Sequence, residues 1–456
     1  MKRFFQANHL LLYAAAIISL VLYSFFGYHL ERSEFLNLCS IYFALFALFL
    51  FSWNIGRDYF KGMMLAGILF RILLLFSLPN LSQDFYRFIW DGELMLSGIN
   101  PYLHTPTELI ETQKHNIPFA NRLYEGMGML SASHYSNYPP VNQFFFLVAA
   151  LLGGTTLMGK VAVLKLVMLL GDLGVVYFGK KLLRLLKKPK SLILLYFLNP
   201  FIILEINGNL HFEGVMMCFF LWGLWLLFSQ RYTGAAVMTG LSISVKLIPL
   251  IFLPLLMMYL TRGSFLPARK EFLRSLSFGV VSLAVFGLSF SPFFSSENLS
   301  HFTASVGLWF STFEFNASLY YLVREVGYWN KGYNIIGSIA PWIPLLTLIS
   351  VLILCFRREN KTPQGLITAM TWAITIYLFI STTVHPWYLT TPLVLSLLID
   401  KRYVLVWTAL VILSYFAYSL DPYKESAVLL IIQYGLVYFM FIREMILKRK
   451  IKAFSG

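Results

Sequence analysis

Residues 10–27 read LLLYAAAIISLVLYSFFG, a stretch without a charged side chain and long enough to cross a bilayer as a helix. Similar stretches recur along the 456-residue chain, which is 58% hydrophobic and only 12% charged. Soluble domains are about 45–50% apolar and about 25% charged, so a soluble enzyme, a disordered chain and a disulfide scaffold are excluded. Because the apolar runs are continuous rather than alternating, a transmembrane β-barrel is excluded too. We predict an all-α polytopic bundle of roughly 11–14 transmembrane helices, forming one membrane domain over residues 1–456.

The basic residues mark the orientation of this bundle. The chain has 36 Lys and Arg against 21 Asp and Glu, a formal net charge of +15. Most of the basic residues fall in short connectors: Lys2–Arg3, Arg57/Lys61, Lys180–Lys190, Arg231, Arg262–Arg274, Arg357–Arg358, Lys401–Arg402 and Arg443–Lys452. Such connectors stay on the cytoplasmic side of a membrane, so we predict no nucleic-acid partner. We also expect a retained first helix, because residues 10–27 lack a small-residue cleavage site.

Two long connectors lie between the apolar segments and contain few basic residues. Counted from a cytoplasmic N-terminus, the third helix exits outward, which makes residues 79–140 an external loop and residues 292–334 a second one. Both are mixed polar and aromatic. The first is too long for a simple connector and is rich in Pro, Gly and Asn, which indicates a functional role.

The path of residues 141–260 through the membrane has two possible solutions. If residues 141–157 and 160–178 both span the membrane, the basic run 180–190 lies outside, against the positive-inside rule. Either one of these segments is re-entrant or interfacial, or the rule is broken, residues 207–213 face the cytoplasm and residues 234–260 form one helix. We prefer the first solution, because Lys246, Pro249 and Pro254 within 234–260 suit a broken helix pair that lines a cavity.

The first segment with candidate catalytic residues is 82–94, SQDFYRFIWDGEL. In a helix, Asp84, Arg87 and Asp91 share one face through their i, i+3 and i+7 spacing. A carboxylate beside a guanidinium at the bilayer surface suits proton abstraction next to an anion site. The alternative interpretation is an exposed salt bridge worth a few tenths of a kcal/mol.

A second segment is residues 205–214, EINGNLHFEG, where polar side chains interrupt two apolar stretches. Ionisable and polar side chains inside a membrane are costly unless they line a cavity, so the five in this segment indicate a functional site: Glu205, Asn207, Asn209, His211 and Glu213. The alternative is a simple hydrophilic hairpin loop.

One further residue and one short aromatic segment stand out. Lys246 is a lone cation in an apolar stretch, where it would either bind an anion such as phosphate or snorkel to an interface. His385, Trp387 and Tyr388 follow one apolar segment and open another. Their rings could hold a sugar and the imidazole a phosphate, or they could belong to an aromatic belt at the membrane interface.

The sequence contains no motif for nucleotide binding, metal ligation or disulfide formation. It contains neither a G-x-x-x-x-G-K-[ST] loop nor a G-x-G-x-x-G fingerprint, and no large cytoplasmic domain for a nucleotide sugar. His104, His115 and His134 are too scattered to indicate a metal site. The cysteines lie inside apolar runs and indicate packing: Cys39, Cys218 and Cys355. We therefore predict no cofactor and no metal.

Together these segments resemble a known class. The similarity rests on Asp84-Phe-Tyr-Arg-Phe-Ile-Trp-Asp-Gly with Gly98-Ile-Asn-Pro-Tyr, Tyr138-Pro-Pro, Asn199-Pro followed by Gly208-Asn-Leu-His-Phe-Glu-Gly, Lys246-Leu-Ile-Pro and His385-Pro-Trp-Tyr-Leu. In this order they resemble bacterial polyprenyl-phosphate-dependent glycosyltransferases of the C-type membrane fold, in particular the mannosyltransferases of glycosyltransferase family 87. The similarity covers roughly residues 60–400. The chain differs in having two helices before the one that leads to the first loop.

The resemblance implies a membrane enzyme that transfers a hexose, most often mannose, from a polyprenyl-phosphate sugar to a lipid or glycan acceptor, with inversion. It implies a bacterial cytoplasmic membrane with the active site on the outer face, and Asp84 as general base. The leaving phosphate needs fixed positive charge, and the candidates for binding it are Arg87, Lys246, His385 and His211. The candidates for sugar and acceptor contacts are Trp90, Asp91, Tyr138, Asn207, Glu213, Trp387 and Tyr388.

Two other functions fit a polytopic protein. A transporter or flippase for lipid-linked sugars usually shows two related halves, and the sequence contains no internal repeat. An oligosaccharide polymerase or ligase would use a lipid-diphosphate donor and carry its large loop late in the chain, whereas the largest loop here is early. The enzyme hypothesis is therefore preferred.

Overall fold

The computed structural model describes residues 2–264 and 266–447, without the side chains of residues 2–8, 309–312 and 358. Within these residues every regular element is helical, and extended pairing is confined to one isolated parallel bridge between Phe315 and Thr383. The all-α prediction is confirmed. Part of the last predicted basic connector, Lys448 to Lys452, lies outside the described residues.

The helices follow one another through short connections. In chain order the α-helices are α1 (Lys2–His29), α2 (Phe35–Gly56), α3 (Phe60–Leu73), α4 (Asp84–Leu96), α5 (Pro106–Thr112), α6 (Ala120–Ala132), α7 (Pro140–Leu152), α8 (Leu157–Leu185), α9 (Leu194–Phe197), α10 (Glu213–Phe228), α11 (Tyr232–Val245), α12 (Leu253–Leu260), α13 (Arg269–Ser289), α14 (Ser296–Thr312), α15 (Leu319–Lys331), α16 (Ile336–Ile339), α17 (Trp342–Cys355), α18 (Pro363–Ile380), α19 (Thr390–Leu398), α20 (Tyr403–Leu410) and α21 (Ala427–Phe441). Tighter 3₁₀ segments are Lys190–Ile193, Ile248–Phe252, Ser291–Phe293, Arg358–Lys361, Pro386–Leu389 and Val411–Ser419, and wider π segments are Ile202–Gly208 and Ile442–Ile446.

Seven helices in the described residues are long and apolar enough to cross a membrane: His9–His29, Phe35–Gly56, Leu157–Leu185, Arg269–Phe293, Ile336–Cys355, Pro363–Ile380 and Ala427–Ile446. An eighth candidate is the pair Lys190–Phe197 and Ile202–Gly208, bent by 62°. The polytopic prediction is therefore confirmed. Several of the roughly 11–14 predicted spans correspond instead to apolar helices of only 10–17 residues.

The lengths of two shorter helices bear on how the chain passes through the membrane. α7 has 13 residues and α3 has 14, whereas a perpendicular crossing takes about 20. α7 thus has the length of a re-entrant or interfacial helix, which is the solution we prefer. α3 also carries Arg71, whose buried guanidinium donates to the carbonyl oxygens of Gly67 and Phe197, both at 2.9 Å.

The described chain divides into two compact units. The first comprises the described residues of Met1–Leu81, Gly179–His211 and His385–Gly456, and the second comprises Ser82–Phe178 and Phe212–Val384. In the first unit, the buried Tyr42 hydroxyl of α2 donates to the Thr408 carbonyl of α20 at 2.6 Å. This bond ties the N-terminal helices to the C-terminal ones.

Within the second unit, α4 packs closely against α7. The rings of Phe88 and Phe146 stack with centroids 4.6 Å apart and planes at 9°. One turn further along α4, Gly92 lies against the Phe146 carbonyl oxygen, where an added methyl group would overlap it. The absence of a side chain at Gly92 therefore lets the two backbones approach.

A helix break in the second unit confirms one expectation. α11 ends at Val245, Lys246 has extended backbone angles (φ −149°, ψ 146°), and the chain continues as the 3₁₀ segment Ile248–Phe252 before α12. Pro249 and Pro254, which cannot donate a backbone hydrogen bond, lie in these two following helices. Residues 234–260 therefore form a broken pair rather than a single helix.

Candidate active site

Asp84 is the first residue of α4, and its side chain is half-buried. The neighbouring side chain of Gln83 fixes this helix start, because its Nε2 donates to the Met127 carbonyl of α6 at 3.0 Å. The Asp84 backbone amide donates to the Ser82 hydroxyl at 3.3 Å. Negative charge is favoured at the N-terminus of a helix. The predicted base thus has an anchored backbone, access to solvent and a position that suits a carboxylate.

Arg87 and Asp91 form a buried ion pair along the next turn of α4, with Nε and Oδ1 separated by 2.7 Å. Asp91 also accepts from the Ser136 hydroxyl at 2.6 Å and from Gln143 Nε2 at 2.9 Å. Arg87 Nη1 donates to the carbonyl oxygens of Ser131 and His134 at 2.8 and 2.9 Å. The alternative of an exposed salt bridge does not apply to this pair, since the side chains are only 3% and 0% exposed.

These contacts favour a positioning role for the pair over direct contact with substrate. Asp91 joins α4 to the start of α7 through Gln143 and to the preceding loop through Ser136. Arg87 anchors the same helix to the end of α6 and the residues after it. Together they hold the helix that begins with Asp84.

We expect Asp91→Asn to lower the thermal unfolding midpoint sharply. The substitution leaves the Arg87 charge buried without its carboxylate, and removing one partner of a buried pair costs about 3–5 kcal/mol. Unfolding of the detergent-solubilised protein can be followed with a thiol-reactive dye, because Cys39 and Cys355 are buried. Asp84→Asn, at a half-buried helix start, serves as the matched control and should melt close to wild type. Wild-type melting of Asp91→Asn combined with loss of activity would instead support a substrate contact.

Lys246 and Glu213 meet at the helix break. Lys246 Nζ lies 2.6 Å from Glu213 Oε1, with side-chain exposures of 19% and 0%. Glu213 is the first residue of α10. Asp84 belongs to the same unit and has a minor electrostatic effect on Glu213, after burial and Lys246. The snorkelling alternative for Lys246 is not supported, because its ammonium group is bound to a buried carboxylate.

In the first unit, two predicted histidines stack on one predicted tryptophan. The ring centroid of His211 is 3.6 Å from that of Trp387 with planes at 17°, and that of His385 is 4.4 Å away with planes at 8°. Tyr388 packs edge-on against His385 at 5.4 Å. His211 is 1% exposed, whereas His385, Trp387 and Tyr388 are half-buried. His211 and the residues at the start of the 3₁₀ segment Pro386–Leu389 thus form a compact aromatic cluster.

A polar layer supports this cluster from the π segment Ile202–Gly208. Glu205 Oε1 accepts from the Tyr415 hydroxyl at 2.7 Å, and Glu205 Oε2 is 3.9 Å from His211 Nε2. Asn207 is fully buried in the same segment. The alternative of a simple hydrophilic hairpin loop for residues 205–214 is therefore wrong, since water does not solvate these groups.

Sequence reasoning missed Tyr415, because it lies in an apolar run without any distinguishing pattern. Asn209, one of the five polar residues of the segment, has a structural role: its Oδ1 accepts from the Leu81 amide and its Nδ2 donates to the Leu204 carbonyl, both at 2.8 Å. Asn209 thereby fixes the chain three residues before Asp84.

The remaining predicted contacts, Trp90 and Tyr138, take part in packing. Trp90 is fully buried, as is Tyr102, whose hydroxyl donates to the Tyr138 carbonyl at 2.6 Å. The Tyr138 ring meets Phe88 edge-on at 5.0 Å. These positions support packing of α4 more directly than sugar binding. Among the described residues, no group of three or more His, Cys, Asp or Glu is placed to hold a metal ion.

Comparison with known proteins identifies the family of this chain. A family model described as alpha-(1->6)-mannopyranosyltransferase, N-terminal domain, matches residues 17–262. The matched region covers more than half of the chain and contains Asp84, Arg87, Glu213 and Lys246, but not the cluster around His385. No individual curated protein matches the chain. The predicted likeness to membrane mannosyltransferases is confirmed, and the chain belongs to the alpha-(1->6)-mannopyranosyltransferase family.

Proposed function

We propose that this protein transfers mannose from a polyprenyl-phosphate mannose to a mannose-containing lipid or glycan, with inversion and formation of an α-1,6 bond. The family supports mannosyl transfer and the linkage. The observation that carries the mechanism is the Lys246–Glu213 pair at the helix break, in the same unit as Asp84. In the proposed site, Asp84 supplies the base and Lys246 the cation.

In the proposed step, the acceptor hydroxyl oxygen attacks the anomeric carbon of the donor. The bond between that carbon and the phosphate oxygen breaks, and its electron pair leaves with the lipid phosphate. Asp84 takes the hydroxyl proton, for which it must lie within about 3 Å of the acceptor oxygen. Inversion that yields an α product requires a β-linked donor. Because a phosphate is already a good leaving group, no strong general acid is needed.

Lys246 is the cation best placed to stabilise the departing phosphate. An ammonium group has three N–H donors, and the bond to Glu213 uses one of them. The buried Glu213 carboxylate holds the ammonium in place, so the charge is oriented before reaction, which is how electrostatic stabilisation is most effective. Arg87 remains a candidate through Nη2, although its other nitrogens are bound inside the protein. We assign His211 and His385 to the donor phosphate on the chemistry of their imidazoles alone.

The proposal requires no cofactor, because the lipid-linked donor brings both the sugar and its leaving group. It is tested with the full-length protein in nanodiscs, supplied with radiolabelled polyprenyl-phosphate mannose and an α-mannoside acceptor. We expect labelled product that α-1,6-specific mannosidase releases. Transfer from guanosine diphosphate mannose instead, or no transfer from any lipid-phosphate sugar, would contradict the proposal.

We further propose a bacterial cytoplasmic membrane with the Asp84 side facing outward. The support is the distribution of basic connectors, since positive charge is retained on the cytoplasmic side. In a variant lacking Cys39, Cys218 and Cys355, a cysteine at exposed Glu125 should react with an impermeant maleimide in intact cells. A cysteine at exposed Arg184 should react only after permeabilisation. The reverse pattern would place the site in the cytoplasm.

A further inference from the structure

Helix α15, in the second unit, exposes one apolar face. The face consists of residues at i, i+3, i+4, i+7 and i+10, which a helix places along one side: Leu319, Leu322, Val323, Val326 and Trp329. Of these five residues, here called the apolar stripe, Leu322, Val326 and Trp329 are 66%, 50% and 85% exposed. A contiguous apolar surface with this exposure indicates an interaction site.

The other sides of α15 are occupied by contacts within the unit. Tyr320 and Gly327 are buried. Arg324 Nη1 lies 2.6 Å from Glu314 Oε2, and the Arg324 guanidinium is 4.2 Å from the centre of the Tyr321 ring. The helix therefore uses its polar and small residues to pack against the protein, and the apolar stripe faces away from it.

Two contacts tie α15 to the ends of two candidate membrane spans. The hydroxyl of Ser318, the residue before the helix, donates at 3.0 Å to the carbonyl oxygen of Phe379, the last residue but one of α18. Near the other end of α15, Ile335 lies against Gly327, where an added methyl group would overlap the Ile335 side chain. Ile335 directly precedes the candidate span Ile336–Cys355. The helix thus bridges the end of one span and the start of another.

Both of these span ends belong to one surface of the membrane. The span Ile336–Cys355 is followed by the short connector 356–362 and then by α18, and α17 packs against α18. The two spans therefore run in opposite directions, with the connector at one surface and α15 at the other. With 13 residues α15 is about 20 Å long, too short to cross a hydrocarbon core of about 30 Å. It consequently lies along the membrane surface.

From these observations we infer that α15 is an interfacial helix whose apolar stripe is immersed in lipid, at the boundary between headgroups and acyl chains. Amphipathic helices bind membranes in this way, and tryptophan is enriched at that depth. The bilayer is the occupant that the attachment of α15 favours, because the adjoining span carries exposed apolar side chains of its own, among them Leu345, Leu348 and Leu352. The inference concerns anchoring alone and does not depend on mannosyl transfer.

Anchoring of α15 extends to the chain that follows α18. Arg324 of α15 holds Glu314, and the next residue, Phe315, pairs with this chain through two backbone bonds. The Phe315 amide donates to the Thr382 carbonyl at 3.2 Å, and the Val384 amide donates to the Phe315 carbonyl at 2.8 Å. Lipid contact by the apolar stripe thereby helps to hold residues 382–384 at the membrane surface.

Site-directed spin labelling of the full-length protein in nanodiscs tests this inference. In the variant lacking Cys39, Cys218 and Cys355, a nitroxide is attached to Leu322→Cys or to Val326→Cys, and collisions with oxygen and with a water-soluble nickel chelate are measured by power saturation. Oxygen concentrates in lipid, so we expect both labels to be accessible to oxygen and shielded from nickel. The matched control is Lys331→Cys, exposed on the opposite side of the helix from Leu322, where the ratio of the two accessibilities should be reversed.

Two other results would overturn the inference. Nickel access at Leu322 and Val326 equal to that at Lys331 would show that the apolar stripe faces water. Shielding of both labels from oxygen as well as from nickel would show that protein covers the stripe, either a second copy of this chain or another partner. Because no substrate is present in this experiment, either result leaves the proposed function untouched, and a failure of mannosyl transfer leaves the placement of α15 untouched.

Discussion

Replacing Asp84 with Asn is expected to reduce mannosyl transfer by about 10²–10⁴-fold, the contribution typical of general-base catalysis. The amide has nearly the same shape and can still make hydrogen bonds, but it cannot take the proton of the acceptor hydroxyl. The helix start should survive, because Gln83 rather than Asp84 makes the bond to α6. We expect kcat to fall while the KM for donor changes little, measured with lipid-linked mannose in nanodiscs.

The matched control for this variant is Asp58→Asn, which changes the same side chain at an exposed connector position. It should transfer mannose at the wild-type rate. If Asp84→Asn also retains the wild-type rate, Asp84 is not the base. Glu213→Gln would then be the next variant to measure, since Glu213 is the buried carboxylate that pairs with Lys246.

Several features of this fold were predictable because they depend on local sequence. The helix beginning at Asp84 follows from the periodic spacing of residues 84–94, and α4 occupies this stretch. The break in residues 234–260 follows from a lone lysine beside Pro249, and the structure ends α11 just before Lys246. In both cases the residues that determine the helix boundary lie within one helical turn of that boundary.

The pairing of charges was not predictable, because it depends on contacts between distant segments. Sequence spacing could not tell whether Arg87 would face a phosphate or Asp91, or that Glu213 would hold Lys246. The buried partners Ser136 and Gln143 look like ordinary polar residues of a loop and a helix start. The π segment Ile202–Gly208 could likewise not be predicted from the sequence, because an interrupted apolar stretch is equally typical of a hairpin.

The second large effect is expected for Lys246→Met, which removes the cation proposed to stabilise the leaving phosphate. Loss of one electrostatic stabiliser of this kind typically costs about 10²–10³-fold in kcat. The variant should also be less stable by about 3–5 kcal/mol, because Glu213 is left fully buried without its ammonium partner. Transfer assays and melting with the thiol-reactive dye measure the two effects separately. Lys61→Met, at an exposed position in the first turn of α3, is the control and should change neither.

The double variant Lys246→Met/Glu213→Gln distinguishes catalysis from structure. Removing both charges leaves no unpaired buried ion, so the melting midpoint should recover most of the way to that of the wild type. Transfer should remain as low as in Lys246→Met, because neutralising Glu213 does not restore a positive charge beside the phosphate. If the double variant regains both stability and transfer, Lys246 serves only to neutralise Glu213, and the cation that stabilises the leaving group must be sought elsewhere. Arg87 and His385 would then be the residues to replace.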